Sequence, residues 1–207
     1  MTASLNGALQ QPEIRPVCAA DAPAMQAFVQ ALSAASRRWR FHGAISGCSP
    51  SLLRQMTQVD GRRHVALVAC LPCQDGAVIV GEARYAVLHD GSAAEFAIAV
   101  ADAQQGSGLA RRLMRALMSA AREAGVRELV GEVLGGNERM AAFLKREGFA
   151  PEAADLFAAT EPDVQRWLRH IDSPTPTRAG RDRSTWQTLR TWLQGHGLAR
   201  VPDVATH

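Results

Sequence analysis

The spacing of apolar and polar side chains in the first third of the chain predicts one strand and two helices. Residues 13–17 alternate apolar and polar side chains, which is typical of a strand. Asp21 is expected to cap a helix, and Ser49 is expected to start a second one. Between these helices, residues 36–48 show no clear period and carry arginine and aromatic side chains, so we expect an irregular segment that could border a substrate cleft.

A meander of strands is predicted next. The apolar stretches at residues 64–69, 77–88 and 94–100 are separated by short turns, and short turns favour antiparallel pairing of neighbouring strands. Near the end of the chain, residues 163–171 fit either a closing strand or a helix, and their period does not decide between the two.

A strand-helix-strand-helix unit is expected to follow from the strand at residues 94–100. The helix after Gly106 carries leucines on one side and arginines on the other, and Gly125 ends it. Because a helix precedes it, the strand at residues 128–134 is expected to run parallel to that strand. Asn137 then caps the last core helix. The predicted fold class is α/β with a mixed α+β sheet, an antiparallel meander followed by a parallel β-α-β unit.

Composition narrows the class of protein. The chain has 207 residues, of which 47% are hydrophobic and 21% charged, with a formal net charge of +3, so we expect a globular protein without a nucleic-acid surface. No apolar run approaches the ~18 residues that cross a bilayer, and residues 1–12 lack the pattern of a secretory signal. We therefore expect a cytoplasmic protein with no membrane partner. The arginines at residues 37–40 and 178–183 are interpreted as solvated faces, with an acidic partner or a phosphate tail as the alternatives.

The four cysteines are interpreted as reduced and incidental. Cys70 and Cys73 form one Cys-x-x-Cys pair in an apparent hairpin turn. A zinc site needs a second pair of ligands, and a redox pair would need a helix N-terminus beneath the first thiol. Neither is evident, so no metal site is expected.

The turn after the predicted strand at residues 94–100 has the properties of a phosphate-binding loop. Its two glycines let the backbone fold closely around a ligand, and the N–H groups at the start of the next helix suit a pyrophosphate. A P-loop is excluded because no Lys follows Gly108, and the dinucleotide fingerprint is excluded because Arg111 replaces its third glycine. The remaining pattern is Gln105-x-x-Gly108-x-Ala110.

This pattern resembles the acyl-coenzyme A pyrophosphate loop of the GNAT family of N-acetyltransferases. Three further features in the same order strengthen the resemblance: the opening strand and helix, the strand with Glu95, and the segment from Asn137 to Phe149, which is similar to the family's Asn-(x)5-Tyr-x-x-x-Gly-Phe ending. More narrowly, the segments at residues 36–41, 53–60, 94–97 and 130–134 resemble the catalytic domain of bacterial protein-lysine acetyltransferases.

The resemblance implies an acyl-CoA N-acyltransferase fold in which acetyl-CoA lies where the fourth and fifth strands splay apart. Backbone groups of the fourth strand would hold the pantetheine arm, the loop would hold the pyrophosphate, and the last helix would contact the cofactor. The residues implied to bind it are Ile98, Val100, Gln105, Gly106, Ser107, Gly108, Leu109, Ala110, Asn137 and Phe143.

Glu95 is the candidate catalytic base. An amine must lose a proton before it attacks a thioester, and a lysine amine has a pKa of about 10.4. Glu95 shares a sheet face with two alanines and lies ~10 Å upstream of Ile98 along the strand, so we expect a relay water. A structural rim carboxylate is the alternative. Glu132 on the neighbouring strand is the competing base or a paired structural acid, and His64 is either a strand-edge histidine or a substrate contact.

One position departs from the family. Its members often use a Tyr in the last helix to protonate the departing thiolate, and here that position is Phe143. The single Tyr of the chain, Tyr85, is on a different strand. A thiol with a pKa near 8.5 can leave without a strong acid, so activity survives in principle. A coenzyme A-binding module without catalysis is the alternative.

We therefore expect transfer of an acetyl group from acetyl-CoA to a primary amine by direct attack. The resemblance favours a protein lysine as acceptor over a small amine. The expected organisation is a flexible N-terminus at residues 1–12, the GNAT domain at residues 13–172, and a linker and tail at residues 173–207. The tail includes a helix with Trp186 and Trp192 on one apolar face, which needs a partner surface on the domain or on a second subunit in a homodimer.

Overall fold

The computed structural model describes residues 11–73, 76–89, 91–152 and 164–171. The helices in these ranges are α1 (Ala22–Ala31), α2 (Ala34–Phe41), α3 (Pro50–Thr57), α4 (Leu109–Glu123) and α5 (Glu138–Arg146). The strands are β1 (Glu13–Pro16), β2 (His64–Cys73), β3 (Gly76–Val87), β4 (Ala93–Val100), β5 (Glu128–Leu134), β6 (Ala150–Pro151) and β7 (Val164–His170).

All of these strands join one mixed sheet in the order β1-β2-β3-β4-β5-β7-β6. The first four pair antiparallel, and β4 pairs parallel with β5, which confirms the predicted meander and β-α-β unit. Residues 164–170, for which strand and helix stayed open, form β7 antiparallel to β5. The amphipathic α4 buries its leucines in the core cluster on one side of the sheet, and α1 and α3 contribute to a second cluster on the other.

The fourth and fifth strands diverge soon after they meet. Their parallel pairing covers only Ala93–Glu95 and Glu128–Val130, whereas β4 stays paired with β3 through Val100. Phe96 lies at the point of divergence. Its ring would be 2.5 Å from a Cβ atom at Gly131, and it also packs at 5.1 Å from the ring of Phe149. This buried aromatic side chain stands between the two strands, so a cleft opens at their carboxyl ends.

The structure corrects the prediction for residues 36–48, because Ala34–Phe41 form α2. Ser33 caps this helix and accepts a hydrogen bond from the backbone N–H of Ser36 at 3.2 Å. The carboxylate of Asp102, which lies just after β4, accepts hydrogen bonds from both serine hydroxyls. The helix is short and has few apolar residues, so its period was not visible in the sequence.

The cap predicted at Asp21 is also wrong in detail. Helix α1 begins at Ala22, but the carboxylate of Asp21 accepts hydrogen bonds from the Arg15 guanidinium at 2.7 Å and from the backbone N–H of Cys18 at 2.8 Å. The Arg15 contact lowers the pKa of Asp21 to about 2. Asp21 therefore ties the start of α1 to β1 and does not cap the helix.

The Cys-x-x-Cys pair lies in a strand and not in a turn. Strand β2 continues through Cys73, with a register shift between Ala69 and Cys70. All four cysteines are free thiols. In the described ranges no helix has the length and apolar content to cross a bilayer. The predicted linker and helix of the tail lie outside these ranges, so the proposed division of the chain stays a prediction.

Candidate active site

A cleft of about 430 Å³ lies at the carboxyl end of β4, with α2, α5, the glycine loop and the start of α4 as its other walls. Leu109 does not line it, because its side chain is 2% exposed and packs in the core. Ser107 does not line it either, and its hydroxyl donates to the carbonyl of Gln104 at 2.7 Å. The cofactor positions predicted from the sequence that do line it are Ile98, Val100, Gln105, Gly106, Gly108, Ala110, Asn137 and Phe143.

The loop has the backbone conformation that its glycines suggested. Gly106 and Gly108 both have φ = +86°, in the left-handed region that favours glycine. Gly108 directly precedes α4, so the first N–H groups of that helix lie at the loop, where their partial positive charge suits a phosphate. Gln105 braces the loop, because its Oε1 accepts from Arg139 at 2.5 Å and its Nε2 lies 3.4 Å from the carbonyl oxygen of Val100.

Three arginines that the sequence analysis did not assign also line the cleft. They are Arg111 on α4 and Arg139 and Arg146 on α5. Guanidinium groups suit the phosphates of a nucleotide. A signal was present in the sequence, because residues 139 and 146 are seven apart and so share one helix face beside the predicted cap.

A smaller cavity of about 170 Å³ adjoins the cleft. The two spaces have five lining residues in common, so they lie next to each other. The shared residues are Trp39, Arg40, Ile98, Asn137 and Met140. Asn137 also caps α5, since its side chain accepts from the N–H of Met140 at 3.1 Å. The predicted irregular segment therefore borders this site as expected, although it does so as a helix.

Glu95 lies in the smaller cavity. Burial, together with the negative charge of Glu132, raises the pKa of Glu95 to about 7. Near neutral pH its carboxyl group is thus divided between the protonated and ionised forms, which is the condition that favours a general base. A strongly perturbed carboxyl in a cavity next to a cofactor cleft is a candidate catalytic group.

Glu132 lies on the same sheet face, two residues beyond the Val130 that pairs with Glu95. Its side chain is 39% exposed, and its Oε2 is 3.8 Å from Nδ1 of His42. It is therefore an exposed carboxylate at the edge of the cavity, and the alternatives of a base and of a paired structural acid both stay predictions.

His64 opens β2 and also lines the cavity. It is 6% exposed, and burial is the main cause that lowers its pKa to about 4, so the imidazole is neutral at pH 7. Its backbone N–H donates to Asp60 at 2.8 Å.

A buried ionic cluster forms part of the wall. Glu82 is 1% exposed, and one of its oxygens accepts from Nε of Arg40 at 2.6 Å while the other accepts from Nε of Arg84 at 2.9 Å. The interpretation of Arg40 as part of a solvated face is therefore wrong, because its side chain is only 11% exposed. One signal of this cluster was present in the sequence, because Glu82 and Arg84 lie two residues apart, on one face of a largely apolar strand.

Neither aromatic candidate supplies an evident acid. Phe143 lines the cleft and has no hydroxyl. Tyr85 is 1% exposed, and its hydroxyl lies 3.3 Å from the carbonyl oxygen of Arg62 and 3.5 Å from that of Ala120. Burial raises the pKa of Tyr85, so its proton is held more firmly than in a free phenol.

A mixed sheet that splays beside a glycine loop, with basic residues at one side and an ionisable carboxyl group at the other, defines an acyl-CoA-binding transferase. The model of the acetyltransferase (GNAT) family matches residues 34–149. The chain belongs to this family and is an acetyl-CoA-dependent N-acetyltransferase.

Individual relatives agree with this assignment. The acetyltransferase PA5475 of Pseudomonas aeruginosa is 38% identical over 128 residues, which are 61% of this chain and 68% of that protein. The GNAT domain of S. lividans PAT has a TM-score of 0.69 at 26% identity and covers 76% of this chain and 89% of its own. The fold also matches yncA from Salmonella typhimurium, solved with its cofactor acetyl-CoA, with a TM-score of 0.63 at 20% identity over 83% of this chain and 100% of the other.

Proposed function

We propose that the acetyl group passes directly from acetyl-CoA to a primary amine, with Glu95 as the group that accepts the proton of the amine. The observation that carries this proposal is the position of Glu95, a carboxyl whose pKa is raised to about 7 in a cavity that adjoins the cofactor cleft.

The residues of the larger cleft fit acetyl-CoA. The cofactor supplies an acetyl thioester, which is the activated group. Beyond Glu95, β4 no longer pairs with β5, so its backbone on that side can pair with the amide groups of the pantetheine arm. The left-handed glycines, the first turn of α4 and the arginines of α5 would hold the phosphates.

The proton of the amine would reach Glu95 through water. Glu95 lies three residues, ~10 Å, before Ile98 on β4, where the thioester is expected, and this distance is longer than a direct hydrogen bond. As the amine nitrogen bonds to the carbonyl carbon, the carbon–sulfur bond breaks and the thiolate leaves. A thiol of pKa near 8.5 can depart without a proton donor, which is consistent with Phe143.

Two acceptor classes each have support. The likeness to the GNAT domain of S. lividans PAT and the sequence resemblance favour a protein lysine, whose unbranched side chain suits a cavity smaller than the ~300–1,000 Å³ of drug-sized sites. A small amine is favoured by Arg40 and Arg84, which face the same cavity and have no evident role toward an alkyl ammonium group.

Thiol release from acetyl-CoA tests the proposal. Lysine peptides and small amines are compared with wild-type protein, Glu95→Gln and a matched control, Glu128→Gln, which changes a carboxylate on β5 that lies 3.2 Å from His170. We expect release with at least one acceptor class and a large loss in Glu95→Gln only. If coenzyme A binds but no acceptor releases thiol, the chain is a binding module. Equal turnover in Glu95→Gln would assign the base elsewhere.

A further inference from the structure

We infer that the acceptor carries an anionic group, of the carboxylate type, beside its reacting amine, and that Arg40 and Arg84 bind this group. The inference rests on the proposed function, since it concerns the same cavity, and it names the chemical class of the acceptor.

The first observation is an unbalanced charge. Glu82 is ionised, because although burial alone would raise its pKa, the guanidinium groups of Arg40 and Arg84 hold that pKa below its usual value. Two positive charges therefore face one negative charge, and the side chains of both arginines are only 11% exposed. A buried charge without a partner is costly, so a second anion in this place would be stabilised.

The second observation is the position of the two arginines. Both line the cavity that holds Glu95. Glu95 is opposite Ala86 and Arg84 is opposite Ala97 in the β3–β4 pairing, so Glu95 and Arg84 are diagonal neighbours on one sheet face, with Cα atoms ~7–8 Å apart. An amine at Glu95 and a carboxylate at Arg84 would thus belong to one small molecule.

The third observation concerns the donors and acceptors that a ligand would meet. Both arginines contact Glu82 through Nε and Nη2, and Nη2 of Arg84 also donates to the carbonyl oxygen of Met56 at 3.1 Å, so we expect a ligand anion to bind through Nη1. Gln55 also lines the cavity, and its Oε1 is buried without a hydrogen-bond partner among the described residues. A buried polar atom without a hydrogen bond destabilises the fold, so we expect a donor group of the ligand to bind it.

The other lining groups do not hold a permanent charge that balances the arginines. Glu132 is exposed and lies 3.8 Å from His42, and His64 is neutral at pH 7. Glu95, whose pKa is about 7, is only partly ionised at that pH and loses its charge when it takes the proton of the amine. A protein lysine brings no anion at its tip, whereas an amino acid brings both groups in a volume suited to 170 Å³. The cavity therefore favours an acceptor of the amino acid type over a protein side chain.

The primary test uses the wild-type protein. Thiol release is measured with a series of ω-amino acids of increasing length, with their carboxamides and with n-alkylamines of matched length. A charge-assisted hydrogen bond contributes about 1.5–3 kcal/mol, so we expect kcat/KM for the best amino acid to exceed that of its carboxamide by at least about tenfold. Equal or higher values for the carboxamide or alkylamine would overturn the inference, whereas no release with any amine would overturn the proposed function.

Variants test whether Arg84 causes the preference for the amino acid over its carboxamide. Arg84→Gln should bring the ratio of amino acid to carboxamide close to one, and Arg84→Lys should retain part of it. Arg38→Gln is the control, because Arg38 is an exposed residue on the same helix as Arg40 and lines neither space. An unchanged ratio in folded Arg84→Gln would contradict the assignment.

A second measurement needs no variant, in case loss of Arg84 unfolds the protein. A short aliphatic carboxylate without an amine should inhibit the wild-type protein in competition with the acceptor and not with acetyl-CoA. The absence of such inhibition would count against the carboxylate site.

Discussion

Replacing Glu95 by Gln should lower turnover and raise stability in the same variant. Folding raises the pKa of Glu95 from 4.5 to about 7, so between these values the folded chain holds a proton that the unfolded chain has lost. The stability contributed by this group is complete below pH 4.5 and is lost as the pH rises to 7. At pH 8 the ionised carboxylate destabilises the fold, and Gln removes that cost.

The size of the effect follows from the pKa difference. One pKa unit corresponds to about 1.4 kcal/mol, so the change from 4.5 to about 7 sets an upper limit of about 3 kcal/mol. Glu95 keeps some contact with solvent, which reduces the cost, and we therefore expect a gain in the free energy of unfolding of about 1–2 kcal/mol at pH 8. At pH 5, close to the unfolded pKa of 4.5, the folded side chain is neutral, and most of the gain should vanish.

Two assays check these expectations. Urea unfolding at pH 5 and pH 8 gives the stability difference, and thiol release with a fixed acceptor gives kcat. Loss of a general base lowers kcat by about 10²–10⁴-fold, and the wild-type kcat/KM should rise with pH through a midpoint near 7. Equal stability gains at both pH values would show that the pKa of Glu95 is not raised. Unchanged turnover together with an unchanged pH profile would refute its role as base.

Three further predictions concern the surroundings of the base. Glu132→Gln removes a like charge, so the midpoint of the pH profile should move to lower pH; a loss of activity without a shift would make Glu132 the base. Gly131→Ala places a Cβ 2.5 Å from the Phe96 ring, and chemical denaturation should show a loss of about 1–3 kcal/mol in the free energy of unfolding. Unchanged stability would contradict the position of the Phe96 ring between β4 and β5. Gly108→Ala strains the backbone of a residue at φ = +86° by about 1–2 kcal/mol, and calorimetry should show coenzyme A binding weakened about tenfold. Gly125→Ala, at φ = +81°, is the control and should lower stability without changing the affinity for coenzyme A.

Much of the fold could be predicted because its signals are local. The apolar periods of α1 and α4 and the cap at Asn137 each depend on residues a few positions apart, and these predictions agree with the structure. The secondary structure of segments with a weak apolar period was harder to predict. Helix α2 has few apolar residues, and residues 163–171 fitted two structures until pairing with β5 made residues 164–170 a strand.

The sequence by itself determined the glycine loop and the position of Glu95 on β4, because left-handed glycines and strand alternation act within a few residues. Only the tertiary structure decided the charge of the smaller cavity. Arg40 meets Glu82 across 42 positions, and the pKa of Glu95 is set by burial and by a carboxylate on another strand. Burial and ion pairing depend on which distant segments pack together, and no local pattern records that.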